Sequence, residues 1–80
     1  MKIPAIKLLA EQNTIEALEL AEARLYDEQH PEIDIPGEDE GEQLTHILAA
    51  LEILRDIRDN GSQFNVALRN YTQRVRNSIS

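Results

Sequence analysis

The chain has 80 residues, with 15 Asp or Glu against 8 Lys or Arg, and its formal charge is −7. Hydrophobic residues make up 41% of the chain, which fits a globular domain and is too much for a disordered tail. Cysteine is absent, which excludes disulfides and thiol catalysis, and the acidic balance argues against general nucleic-acid binding.

Two helices are predicted in the first third of the chain. Pro4 suits a first helical turn, because the N–H that proline lacks needs no partner there, and this helix is predicted over about 4–11. Asn13 and Glu16 match a capping box, with Asn13 as the cap. The second helix is therefore predicted over about 14–28.

An extended acidic loop is predicted after the second helix. Pro31, Pro36 and Gly37 are helix breakers. Ile33 and Ile35 alternate with acidic residues, a spacing typical of a short extended segment. We expect this loop to cross the surface and to turn both isoleucines onto the bundle.

A third helix is predicted over about 40–59. Asp39 and Glu42 match a second capping box, and the acids around them complement the helix dipole. Gly61 is expected to end the helix, since glycine adopts the left-handed conformation at least cost.

The fourth helix is predicted over about 63–77, with Ser62 as its cap. The short connection makes the third and fourth helices an antiparallel hairpin. The sequence thus predicts an all-α fold, a small four-helix bundle that forms one domain over residues 1–80.

The third helix carries more apolar surface than one core needs. At 100° per residue its apolar side chains cover an arc of about 220°, whereas a helix on a single core needs only about 100°. Two interpretations remain open. The helix is either the central helix of the chain, enclosed by the other three, or it packs one flank against a second copy.

Of the two interpretations of this wide apolar surface, we favour the homodimer. A chain of this size without disulfides needs tight helix packing, a metal or oligomerisation to support its small core. Two-fold dimers are the commonest oligomers. The predicted self-contact consists of His46, Ala50, Ile53 and Ile57.

Charge is distributed unevenly along the chain. Residues 27–42 carry eight acids and no Lys or Arg, whereas residues 61–80 carry three arginines and no acid. We predict an acidic docking surface for an unidentified protein partner, formed by Asp34, Glu38, Asp39 and Glu40. Partial neutralisation of the acidic loop by the basic last helix is the alternative explanation of this pattern.

Catalytic motifs are missing from the sequence. The three glycines lie at predicted helix boundaries rather than in a phosphate-binding loop. Exposed clustered acids lack the desolvation that tunes a general acid. We therefore predict a protein that is not an enzyme and has no cofactor. Glu42 and His46, four residues apart on one helix face, offer an alternative function as ligands of a small molecule or a divalent metal.

Three segments resemble a known family. The opening Met1–Lys7, the central Asp39–His46 and the ending Ala67–Ile79 are similar to a family of short bacterial proteins of unknown function from Bacteroidetes-type genomes. The resemblance implies a stand-alone cytosolic helical protein and supplies no catalytic residues.

The function predicted from the sequence is a non-enzymatic protein–protein interaction module that self-associates as a homodimer. No run of about 18 apolar residues is present and the start lacks a secretory segment, so we expect a cytoplasmic protein without a membrane span.

Overall fold

The structure is a computed structural model that describes residues 2–79, with the side chain of Ile79 left out of the description. It confirms the all-α prediction, and each helix lies within two residues of its predicted bounds. The four helices are α1 (Ile3–Gln12), α2 (Ile15–Tyr26), α3 (Glu40–Asn60) and α4 (Phe64–Ile79).

α3 is the central helix of the bundle. Over residues 2–79, α1, α2 and α4 each pack against α3, and no two of these three outer helices bring their Cα atoms within 8 Å. The Cα atoms extend over 32 × 28 × 19 Å. Helices pack 8–10 Å apart, so the shortest dimension corresponds to about two layers of helices.

The core therefore forms around α3 rather than between the outer helices. Its buried side chains come from all four helices and from one residue of the loop. Leu and Ile dominate, as expected for a chain with only three aromatic residues. The fully or almost fully buried large side chains are Ile6, Leu9, Leu18, His46, Ile47, Leu51 and Ile53.

The junction of α1 and α2 differs from its prediction by one residue. Thr14, not Asn13, is the cap of α2, because the Thr14 hydroxyl oxygen accepts from the Ala17 N–H at 3.1 Å. The Asn13 side chain instead donates to the Leu9 carbonyl at 3.1 Å. Asn13 thus satisfies a carbonyl in the last turn of α1, a group with no helical partner of its own.

The loop over residues 27–39 contains no strand and crosses the surface as predicted. Ile35 is buried, and Ile33 packs partly buried against the core. The Gln43 side chain donates to the Ile35 carbonyl at 3.0 Å. Burial of Ile35 and this hydrogen bond both hold the loop to α3.

α3 begins and ends as the sequence predicts. The Asp39 carboxylate accepts from the Glu42 N–H at 2.8 Å, and Gly61 is left-handed with a φ of 65°. The Glu42 carboxylate accepts from the Glu38 N–H at 3.3 Å rather than from the cap residue itself. Ser62, predicted to cap α4, instead donates its hydroxyl hydrogen to Asp56 at 3.2 Å.

Two glycines with positive φ differ in what surrounds them. Gly37 has a φ of 149°, and a Cβ built there would lie 2.8 Å from the Gln43 Cγ and 2.9 Å from its backbone nitrogen. Gly61 has a φ of 65°, and a Cβ added there would meet no neighbouring atom within 4 Å. Gly37 is thus required for both conformation and space, and Gly61 for conformation alone.

We expect Gly37→Ala to lower the free energy of unfolding by about 2–4 kcal/mol, because backbone strain adds to a clash with α3. Gly61→Ala should cost about 1 kcal/mol, since only the strain is present. Urea denaturation followed by circular dichroism measures both losses. Equal losses for the two variants would contradict the close approach of Gly37 to Gln43.

Candidate interaction surface

The predicted self-contact lies mostly inside the chain. His46, Ala50 and Ile53 have no exposed surface, and Ile57 is partly buried against the core. This flank of α3 is covered by other parts of the same chain. That agrees with the alternative interpretation, in which α3 is the central helix enclosed by the other three. Three of the four predicted contact residues are therefore not available to a second copy of the folded chain.

His46 holds three parts of the chain together. Its Nε2 accepts from the backbone N–H of Lys2 at 3.1 Å, at the start of α1. Its Nδ1 lies 2.8 Å from the carbonyl oxygen of Pro36 in the loop. A carbonyl can only accept, so Nδ1 carries the hydrogen and the ring is neutral. The buried imidazole is thus a structural link between α1, the loop and α3.

Glu42 and His46, the alternative ligand pair, are hydrogen-bonded to other parts of the chain rather than arranged around a common site. Both ring nitrogens of His46 are engaged, and one carboxylate oxygen of Glu42 accepts from Glu38. Among residues 2–79 no three or more His, Cys, Asp or Glu side chains are grouped so that they could hold a metal ion. Binding of an ion at His46 would first require the loss of a hydrogen bond to Lys2 or Pro36.

The four residues of the predicted acidic docking surface are all exposed. Two of them also have a local role, since Asp39 caps α3 and the Glu38 N–H is bonded to Glu42. Glu40 lies in the first turn of α3, where its charge complements the helix dipole. The start of α3 accounts for part of this acidic cluster, and Asp34 lies outside it in the loop.

An exposed leucine lies in the middle of α3. Leu48 is 42% exposed, although its neighbours Ile47, Ala49 and Ala50 are completely buried. It follows His46 by two residues, or about 200° around the helix, so it lies on the side of α3 away from Lys2 and α1. Leu44, one turn earlier, is partly buried on the same side.

Ion pairs mark the position of α2 and α4 beside this leucine. Arg55 of α3 pairs with Glu19 of α2 at 3.1 Å, and Glu52 of α3 pairs with Arg74 of α4 at 3.5 Å. Glu52 and Arg55 follow Leu48 by four and seven residues, so both lie on its side of α3. α2 and α4 therefore flank α3 on the side opposite to α1.

Tyr26 ends α2, the helix that Glu19 pairs with α3. α2 runs antiparallel to α3, because Glu19 pairs with Arg55 while Leu25, near the end of α2, borders the same cavity as Gln43, near the start of α3. Tyr26 is 64% exposed.

We name this side of the molecule the Leu48 face. It consists of the adjoining surfaces of α2, α3 and α4, with apolar side chains at its centre and ion pairs between the helices. The residues that define it are Leu44, Leu48, Glu52, Arg55 and Arg74. Sequence patterning placed Leu48 at the edge of the apolar arc and did not single it out.

A polar groove also lies between α3 and α4. Its volume is about 390 Å³ and it is lined by charged and amide side chains, among them Asp56, Asn60, Asn70 and Arg74. The Asp56 carboxylate accepts from Asn60 at 2.7 Å, from Ser62 at 3.2 Å and from Asn70 at 3.3 Å. These bonds tie the end of α3 to α4 and leave Asp56 a structural residue of the hairpin.

The hydrogen bonds from Asn60 and Asn70, with a smaller contribution from Ser62, hold the pKa of Asp56 below its ordinary value of 3.8. A lowered folded-state pKa stabilises the fold above the unfolded-state value, and this stabilisation is lost as pH falls through the folded-state pKa. We therefore expect the urea concentration at the midpoint of unfolding to decrease once the pH is lowered below about 4. The Asp56→Asn variant should show a smaller decrease. An identical pH profile for wild type and variant would contradict this role.

Comparison with known proteins identifies a family and no function. A family model described as a family of unknown function, DUF6952, matches residues 1–80. Neither the search of curated proteins nor the search of solved structures found a match. None of the helices over residues 2–79 has the length and the apolar character needed to cross a membrane.

Proposed function

The chain belongs to DUF6952, a family of unknown function, and we propose that it is a non-enzymatic protein–protein interaction module that self-associates as a homodimer. The observation that carries the proposal is the exposure of two large side chains, Leu48 in the middle of α3 and Tyr26 at the end of α2. Large apolar side chains grouped on a surface are typical of interaction sites.

Energetics support an interface at this position. Removing a leucine and a tyrosine side chain from water stabilises a complex, and tyrosine is enriched among the residues that dominate binding energy. Tyr26, one of only three aromatic residues in the chain, is 64% exposed. Tyr71, in contrast, is buried, and Phe64 is partly buried against the core.

A non-catalytic role agrees with the environment of the buried ionisable groups. Over residues 2–78 the buried titratable side chains are His46 and Tyr71. The ring of His46 is committed to Lys2 and Pro36, and burial raises the pKa of the Tyr71 hydroxyl. A phenol with a raised pKa is a poorer acid at neutral pH than a free tyrosine.

The acidic docking surface and the cytoplasmic location are part of the same proposal. The exposure of Asp34, Glu38 and Glu40 supports a role in attracting a basic protein, because exposed charges of one sign steer an oppositely charged partner. Association through these residues should weaken as salt is raised.

Sedimentation velocity of the full chain over the micromolar range tests self-association. We expect a species of twice the chain mass at the higher concentrations, dissociating on dilution. A chain that stays monomeric throughout this range would overturn the homodimer.

A further inference from the structure

The imidazole of His46 uses both of its ring nitrogens inside the fold. Nδ1 donates its hydrogen to the Pro36 carbonyl oxygen, 2.8 Å away, and Nε2 accepts from the Lys2 N–H at 3.1 Å. The side chain has no exposed surface. In a neutral imidazole with its hydrogen on Nδ1, the Nε2 lone pair is the site that takes up a proton. The bond to Lys2 and the binding of a proton therefore exclude each other.

We propose that His46 is a pH-sensitive latch, which holds the start of α1 against α3 at neutral pH and releases it when the ring gains a proton from water. Protonation puts a hydrogen on Nε2 that faces the N–H of Lys2, and two donors cannot bond to each other. The Nδ1 hydrogen keeps its acceptor at Pro36. Acid should thus release α1 and leave the loop attached to α3. The latch does not depend on the proposed self-association.

The first turn of α1 depends on Lys2. This residue precedes the helix, and its side chain makes no capping hydrogen bond. Its carbonyl oxygen accepts from the N–H groups of Ala5 and Ile6, at 3.1 and 3.2 Å. Ile6 is completely buried. Loss of the bond between Lys2 and the ring therefore loosens the turn that carries Ile6 into the core.

Charged side chains near the latch do not compensate a charge on the buried ring. They are Lys2, Lys7 and Glu11 at α1, Asp34, Glu38 and Asp39 within three residues of Pro36, and Glu42 one turn before His46. All of them except Glu42 are exposed, and the Glu42 carboxylate accepts from the Glu38 N–H. None of the ion pairs within residues 2–79 includes His46. A buried charge without a partner is strongly unfavourable, so a protonated ring favours the released state.

Hydrogen exchange of the Ile6 amide in the full chain, measured by NMR between about pH 7 and pH 5, tests the latch. An imidazole in water gains its proton near pH 6.5, whereas carboxylates titrate about two units lower. Proton binding by the released state alone raises the opening equilibrium up to tenfold per pH unit. After correction for the intrinsic exchange rate, opening at Ile6 should rise roughly 25-fold over this range.

Two variants assign the effect to one ring. His30, the other histidine of the chain, is exposed in the loop, so His30→Gln should keep the full rise. His46→Gln retains a donor and an acceptor but no titratable group, so opening at Ile6 should become independent of pH. Because the chain has two histidines and no cysteine, the wild type and His30→Gln decide the assignment even where His46→Gln does not fold.

The amide of Leu51, in the buried middle of α3, distinguishes release of α1 from unfolding of the whole chain. At pH 5 the opening at Ile6 should remain larger than the opening at Leu51. Equal opening at the two amides would show that the proton unfolds the whole chain, and it would overturn the latch. The latch is also wrong if opening at Ile6 does not change with pH, if His30→Gln removes the rise, or if a folded His46→Gln variant keeps it.

Discussion

Replacement of Ile53 by glutamate is expected to unfold the chain. Ile53 has no exposed surface, so the variant must bury a carboxylate without a partner or open the core. That cost is several kcal/mol, comparable with the roughly 4–12 kcal/mol of total stability typical of a chain this long. Far-UV circular dichroism should show the loss of most helical signal at neutral pH.

Leu48→Glu is the matched control for this variant, because it places the same charge on the exposed side of the same helix. It should keep the helical signal of the wild-type chain, and its free energy of unfolding should stay within about 0.5 kcal/mol of the wild-type value after correction for any dissociation. A folded, monomeric Ile53→Glu variant would contradict the structure and restore the self-contact predicted from the sequence.

Replacement of His46 by leucine should lower the free energy of unfolding by about 2–6 kcal/mol. The change puts an apolar side chain of similar size in place of the imidazole. It leaves the Lys2 N–H and the Pro36 carbonyl without partners, and each unpaired group costs about 1–3 kcal/mol. Urea denaturation measures the loss. Hydrogen exchange should show faster exchange of the Lys2 amide and of the first turn of α1.

His46→Gln separates hydrogen bonding from packing in this prediction. A glutamine amide has an acceptor and a donor, so it can serve both Lys2 and Pro36. We expect a smaller loss for glutamine than for leucine. The opposite order would show that ring packing, and not the two hydrogen bonds, makes His46 important.

Local signals explain why the helices were predicted well. A cap needs only a short polar side chain three residues before the N–H that it accepts, and Asp39 supplies it for α3. A helix end needs a residue that tolerates positive φ, and Gly61 supplies it. Asn13 and Thr14 are both good caps, so the pattern could not choose between neighbours, and the structure selects Thr14.

The candidate site was harder to predict from the sequence. An apolar pattern indicates that a side chain is buried, but it does not indicate which element buries it. The wide arc of α3 indicated that more than one side is covered, but the other helices of the chain and a second copy would remove Ile53 from water equally well. Nor does the sequence around His46 identify its partners, which are 44 and 10 residues away along the chain. The ion pair between Glu19 and Arg55, which joins α2 to α3, likewise spans 36 residues of the chain.

The central position of α3 has a consequence for how the molecule fluctuates. Among residues 2–79 the Cα atoms of α1, α2 and α4 come within 8 Å of α3 but not of one another, so one outer helix can detach while the other two remain docked. Each is then a separate unit of local unfolding with its own opening free energy. Native-state hydrogen exchange should resolve three partial openings, whereas the buried middle of α3 should exchange only when the whole chain unfolds.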